Sequence, residues 1–142
     1  MSTYENDFYS WTIEQANLLK AGKFDSIDLV NIVEEILSMG KSEKRELESH
    51  LTILIQHLLK WQYQPERQSR SWELTIDEQR ERFKETLTDN PGLKPKLDEI
   101  LLRAYKYGVI EAAKETGQAK NFFPAACPWT LDNILDDNYF PA

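Results

Sequence analysis

Apolar side chains return every three or four positions along almost the whole chain, the spacing of one helical face. No long alternating run of the strand type interrupts them. The first predicted helix starts after Asn6 or Asp7, both good N-caps, and ends at Gly22. Phe8, Trp11, Gln15, Leu18 and Leu19 share one of its sides. A second helix runs from Ser26 or Asp28 to Met39, with Leu29, Ile32, Val33 and Ile36 as its buried stripe and Gly40 as its stop. Ser42 then caps a third, which reaches about Tyr63, where Pro65 forbids continuation. Its stripe is Leu47, Leu51, Leu54, Leu58 and Trp61.

Thr75-Ile76-Asp77-Glu78 reads as a capping box, so a fourth helix is expected from there to Thr88, with Ile76, Phe83 and Leu87 inward. A fifth runs from near Leu93 to Thr116 and ends at Gly117; Pro95 is tolerated because it falls in the first turn. Gly108 and Ala112 are small and four apart, so another helix can approach there. The tail is rich in aromatics, carries a short helix from Trp129 to Leu135, and is expected to dock on the body. The pattern therefore predicts an all-α fold, a helical bundle of about five helices plus a short C-terminal helix, in a single domain over residues 1–142.

Charge adds an asymmetry. The net charge is −7 over 142 residues. Residues 1–40 hold two basic and seven acidic side chains, for −5; residues 41–72 hold six and four, for +2; residues 73–142 hold nine and thirteen, for −4. An acidic chain is a poor general ligand for nucleic acid, and only the middle segment would attract an anionic partner. Cys127 is the single cysteine, so no intrachain disulfide forms, which fits a reducing compartment. The N-terminus lacks a signal-peptide pattern, and no run approaches the ~20 apolar residues of a membrane span. A cytoplasmic location without membrane contact is the expectation.

Candidate chemistry is sparse. His50 and His57, the two histidines, lie two turns apart on one face of the third helix, roughly 10 Å from each other. They also fall in the rhythm of its apolar stripe, so each can be a satisfied core residue instead of a ligand or general base. Two imidazoles that far apart do not grip one ion, so Glu34 or Glu35 of the second helix would have to complete a metal site with His57.

Arg45 stands five positions before His50. That spacing resembles the Arg-x4–6-His signature of HEPN-type helical ribonucleases, in which histidine moves the 2′-hydroxyl proton and arginine stabilises phosphorane charge. Glu46 and Glu48 crowd negative charge into the same turn. The connector after the third helix interleaves Trp61, Tyr63, Arg67, Arg70 and Trp72. Such a set can form an interaction patch, or it can divide into core aromatics and surface arginines. No glycine-rich phosphate loop, zinc-finger spacing or nucleophile elbow is present, and no cofactor is implied.

The run Leu58-Leu59-Lys60-Trp61-Gln62-Tyr63-Gln64-Pro65-Glu66-Arg67, followed by Ser69-Arg70-Ser71-Trp72, resembles the signature of a bacterial family common in cyanobacteria, known only as domain of unknown function family twenty-nine. Tyr4 to Trp11, Glu34-Glu35-Ile36, Ser38-Met39-Gly40 and Cys127-Pro128-Trp129-Thr130 match it as well, so the resemblance covers essentially the whole chain. It implies an all-helical domain and supplies no catalytic residues. Two readings of function follow. One is a non-enzymatic interaction module, bound to an unknown protein partner or to itself. The other is a HEPN-like ribonuclease or metal-dependent enzyme centred on the His50/His57 face.

Overall fold

The computed structural model describes residues 3–142. Its α-helices are α1 (Thr3–Asn6), α2 (Phe8–Lys20), α3 (Leu29–Tyr63), α4 (Arg70–Asp89), α5 (Leu97–Thr116) and α6 (Leu131–Leu135), and no strand occurs among the described residues. The fold is an all-α helical bundle. It divides into two compact units, Met1–Lys41 and Ser42–Ala142.

In the N-terminal unit, Asp7 caps α2 as expected: its carboxylate accepts the Ser10 N–H at 3.1 Å. Gly22 takes the left-handed conformation at φ 72° just beyond the helix. Three polar ties hold α1 and α2 to the start of α3. The Trp11 indole donates to Asp28 at 3.0 Å, the Asp28 N–H donates to the buried Gln15 side chain at 2.7 Å, and the Tyr4 hydroxyl donates to Glu35 at 2.6 Å.

The break expected at Gly40 is not there. α3 is one run of 35 residues. A glycine stops a helix when it adopts positive φ, and only Gly22 and Gly117 do so here. Nothing lies within 4 Å of where a Gly40 Cβ would be, so no tertiary contact rewards a turn. The helical ladder simply continues through it.

The C-terminal unit is built on the second part of α3. Leu47, Leu51, Leu54, Ile55, Leu58 and Leu59 are fully buried, and α4 adds Ile76 and Phe83. α5 adds Ile100, Ala104, Val109 and Ala112, and the tail closes the same cluster with Phe123, Trp129 and Ile134. The close approach expected at Gly108 is present. A Cβ there would sit 2.8 Å from Ile55 Cγ2 and 3.3 Å from the Thr52 carbonyl of α3.

Two helix starts differ from expectation. α4 begins at Arg70, not Thr75, because the Ser69 hydroxyl accepts the Trp72 N–H at 3.2 Å and caps the helix earlier. α5 begins at Leu97, not Leu93, because Pro91–Lys96 forms 3-10 turns. Pro95 has no N–H for an α-helical bond and disfavours helical backbone in the residue before it.

Candidate functional site

His50 and His57 share α3 but answer to different neighbours. His50 Nδ1 lies 2.9 Å from the side-chain oxygen of the buried Gln79 in α4, and Nε2 lies 3.5 Å from Glu46. With that oxygen accepting, the Nδ1 carries the proton. His50 also lines a polar cleft of about 270 Å³ shared by Glu43, Glu46, Arg82, Glu85 and Asp89. Four carboxylates against one guanidinium make this cleft repel phosphate. Arg45 is exposed and does not line it, so the arginine–histidine pair of a ribonuclease is not assembled.

His57 donates from Nδ1 to its own helix, to the Ile53 carbonyl at 2.9 Å. Burial holds its pKa below the ordinary imidazole value, and the neighbouring Lys60 charge adds to that. Glu34 and Glu35 belong to the N-terminal unit and His57 to the C-terminal unit. Glu35 instead accepts from Tyr4, and Glu34 is exposed. No cluster of three or more His, Cys, Asp or Glu with metal-holding geometry occurs among the described residues.

The connector separates into an inner and an outer set. Trp61 is half-buried against Phe140, ring centres 5.0 Å apart, and Tyr63 meets Phe122 and Phe123 edge-on. Trp72 is half-buried with the Lys60 ammonium 4.6 Å over its ring. Arg67 and Arg70 remain exposed, the latter pairing weakly with Glu73 at 3.3 Å. Trp61 and Tyr63 thus hold the tail in place, and the two arginines stay exposed.

Beneath the connector lies a polar cluster that the α3 stripe concealed. Lys60 is 5% exposed and forms an ion pair with Glu115 of α5. Burial pushes the Glu115 carboxyl up, but the Lys60 hydrogen bond and charge together bring it below its ordinary value.

A second buried cation was missed. Arg80, not among the inward residues expected for α4, is fully buried. Its Nε donates to the Ile134 carbonyl at 2.8 Å and its Nη2 to the Tyr139 carbonyl at 2.6 Å, while the guanidinium lies 5.3 Å over the Phe140 ring. Helical periodicity was the available signal: Ile76, Arg80, Phe83 and Leu87 lie on one side.

An open apolar groove of about 670 Å³ separates α5 from the returning chain at residues 120–127. Tyr105 donates across its floor to the Pro124 carbonyl at 2.5 Å, and burial lifts its pKa to about 12. Cys127 lines the same groove, and burial raises its thiol pKa, which leaves it protonated and a poor nucleophile.

The family profile for "Domain of unknown function DUF29" matches residues 3–140. The chain belongs to the DUF29 family. No curated protein and no solved structure matches it significantly. The DUF29 signature read in the sequence, from Leu58 to Trp72, coincides with the region where Lys60, Trp61 and Tyr63 fasten α3 to α5 and the tail, and where Trp72 of α4 packs beneath the Lys60 ammonium. These residues sit in packing roles.

The most unusual surface of this DUF29 chain is elsewhere. Of the expected buried stripe Leu29, Ile32, Val33 and Ile36, Ile32 is half-buried, while Leu29, Val33 and Ile36 are 61%, 45% and 61% exposed. The ties to Asp28 and Glu35 place α1 and α2 against another side of α3. The stripe consequently faces solvent, with Val30 and Leu37 beside it. No helix among the described residues is long and apolar enough to cross a membrane.

Proposed function

We propose that this protein is a non-enzymatic protein-interaction module. Its N-terminal unit is the docking element, and its C-terminal unit supplies a folded support. One observation carries the reading: of fifteen exposed large hydrophobic side chains among the described residues, eleven lie between Phe8 and Met39. Scattered apolar residues on a surface need no explanation, but a concentration of this kind marks an interaction site. The exposed arginines Arg67 and Arg70 form a smaller second contact, suited to an acidic rim. With one half-buried cysteine and no disulfide, the module suits a reducing bacterial cytoplasm.

The test is binding of the full chain before and after substitution on the apolar stripe. Val30→Glu with Leu37→Glu should abolish capture of partner or copy while far-UV circular dichroism stays unchanged. Arg67→Ala with Arg70→Ala should weaken capture several-fold. Binding that survives both pairs would end this reading.

The enzymatic alternative has one supporting feature, the opening of His50 onto the polar cleft. It requires that purified chain cleave an RNA oligonucleotide and that His50→Ala abolish the cleavage. The four carboxylates around His50 and the absence of Arg45 from the cleft lead us to expect no cleavage.

A further inference from the structure

α3 runs through a stretch that no core supports. Every residue from Ile36 to Glu43 is exposed, which is more than two full turns. A helix lying on a core turns at least one residue in any four or five inward, and this stretch turns none. Among the described residues, 36–42 make no side-chain hydrogen bond or ion pair. The nearest ties are Tyr4 to Glu35 before them, and Asn90 to Glu43 and Lys44 to Glu99 after them. The boundary between the two compact units falls in the same stretch, between Lys41 and Ser42.

The residues there hold a helix poorly by themselves. Glycine is the weakest helix former after proline, serine is middling, and an unpacked helix shorter than about 12–15 residues is marginal in water. The stretch also contains the signals that end one helix and start another. Gly40 suits the position just past a helix end, and Ser42 suits an N-cap. Elsewhere in this chain both signals are used: Gly22 and Gly117 end helices at φ 72°, and Ser69 caps α4. In the continuous α3 neither is used, since Gly40 keeps a negative φ and Ser42 lies inside the helix. Breaking the helix here uncovers no core, because Ile36, Leu37 and Met39 are already in water. The backbone groups it frees meet solvent or the waiting caps.

We infer that α3 carries a hinge at Met39–Ser42, which opens into a glycine-terminated helix end and a serine-capped helix start while each unit stays folded. The long helix is then a two-state element, closed as one rod and open as two helices, and its opening is local unfolding that costs no packing. The hinge does not depend on what the protein binds. It differs from ordinary fraying in one respect: the open form has a defined cap, so one serine matters far more than its neighbour one turn away.

Amide hydrogen exchange of the full chain, read residue by residue by NMR, tests this. The amides of residues 41–45, whose helical acceptors are residues 37–41, should exchange at least ~100-fold faster than those of residues 54–59 in the same helix. Gly40→Ala should slow them about 10-fold or more, because alanine both holds the helix better and resists the left-handed conformation. Ser42→Ala should slow them about 10-fold, since the open form loses its cap. Ser38→Ala is the same change one turn earlier, and helix propensity alone should slow them about two-fold. Gly40→Pro, which fixes the break, should bring residues 41–44 near the unfolded rate and leave residues 54–59 protected. Equal protection of 41–45 and 54–59 in the wild type overturns the inference. Equal slowing by Ser38→Ala and Ser42→Ala does so too, because the opening is then diffuse fraying. Loss of protection at 54–59 in Gly40→Pro also overturns it, because the core then needs the helix unbroken.

Discussion

Gly108 of α5 lies so close to Ile55 of α3 that a methyl group on it would come within 2.8 Å of Ile55 Cγ2 and 3.2 Å of Ile55 Cβ. Neither atom can retreat by a distal rotamer change, since Cβ is the branch point of the side chain and Cγ2 the methyl bonded directly to it, and the Thr52 carbonyl also lies within 3.3 Å. Gly108→Ala should therefore lower the unfolding free energy by about 1–3 kcal/mol, although alanine is the better helix former by roughly 1 kcal/mol. Gly40→Ala is the matched control. That glycine is mid-helix with open space around it, so the substitution should stabilise α3 by about 0.5–1 kcal/mol. Urea denaturation of both variants reads the two signs directly.

Arg80 ties the tail to the bundle through two carbonyls. Arg80→Met keeps much of the apolar stem and removes both donors, leaving the Ile134 and Tyr139 carbonyls unpaired. Stability should drop by about 2–4 kcal/mol. Hydrogen exchange should accelerate selectively over residues 131–140. Uniform acceleration throughout the C-terminal unit would show instead that Arg80 supports the whole core.

His57 gives the protein a pH dependence with a definite sign. Its folded pKa lies below the ordinary imidazole value, mainly through burial, so the unfolded chain binds the proton first as pH falls. The stability linked to it is complete above about pH 6.5 and is lost as pH drops from there towards the folded pKa, with a slope of at most about 1.4 kcal/mol per pH unit. The lowered carboxylates, Glu115 among them, act in a separate window below their ordinary values. Urea midpoints between about pH 7.5 and 5.5 should fall in the wild type and flatten in His57→Gln. Equal slopes in both proteins would refute the assignment.

The Lys60–Glu115 pair should respond differently according to which partner is altered. Glu115→Gln leaves a buried ammonium without its counter-charge and should cost about 1–3 kcal/mol, tempered by the half-exposed position of the glutamate. Lys60→Met, similar in length and without charge, should cost less. Thermal melts of the two variants and the double variant give their coupling. A melt in which Lys60→Met is the more damaging would mean that the contact over Trp72 outweighs the pair.

Much of the architecture was legible in periodicity because the helices of the C-terminal unit each bury one stripe. Leu47, Leu51, Leu54 and Leu58 were expected inward and are fully buried. Where reading failed, the reason was either backbone choice or an absent neighbour. Gly40 can follow a helix or end it, and only its surroundings decide. Leu29, Val33 and Ile36 have the pattern of a buried stripe, but a pattern states that a face needs covering and not what covers it. Arg80 and Lys60 were hidden by their type: charged residues are usually exposed, and their partners lie 54 or more positions away. Of the candidate site residues, Trp61, Tyr63 and Trp72 sit in packing contacts, Trp72 against the unforeseen Lys60, Arg67 and Arg70 stay exposed, and Arg45, His50 and His57 are left without a common target.

The clamp on Arg80 also orders events during synthesis. Chains emerge N-terminus first, at about 5–20 residues per second. Until Tyr139 leaves the ribosome, the Arg80 guanidinium faces an unfinished interior with at most one of its two carbonyls, that of Ile134, to hold. Nascent chains ending anywhere before that residue should therefore stay partly open and be favoured clients of chaperones, closing only when the last turn of the tail arrives.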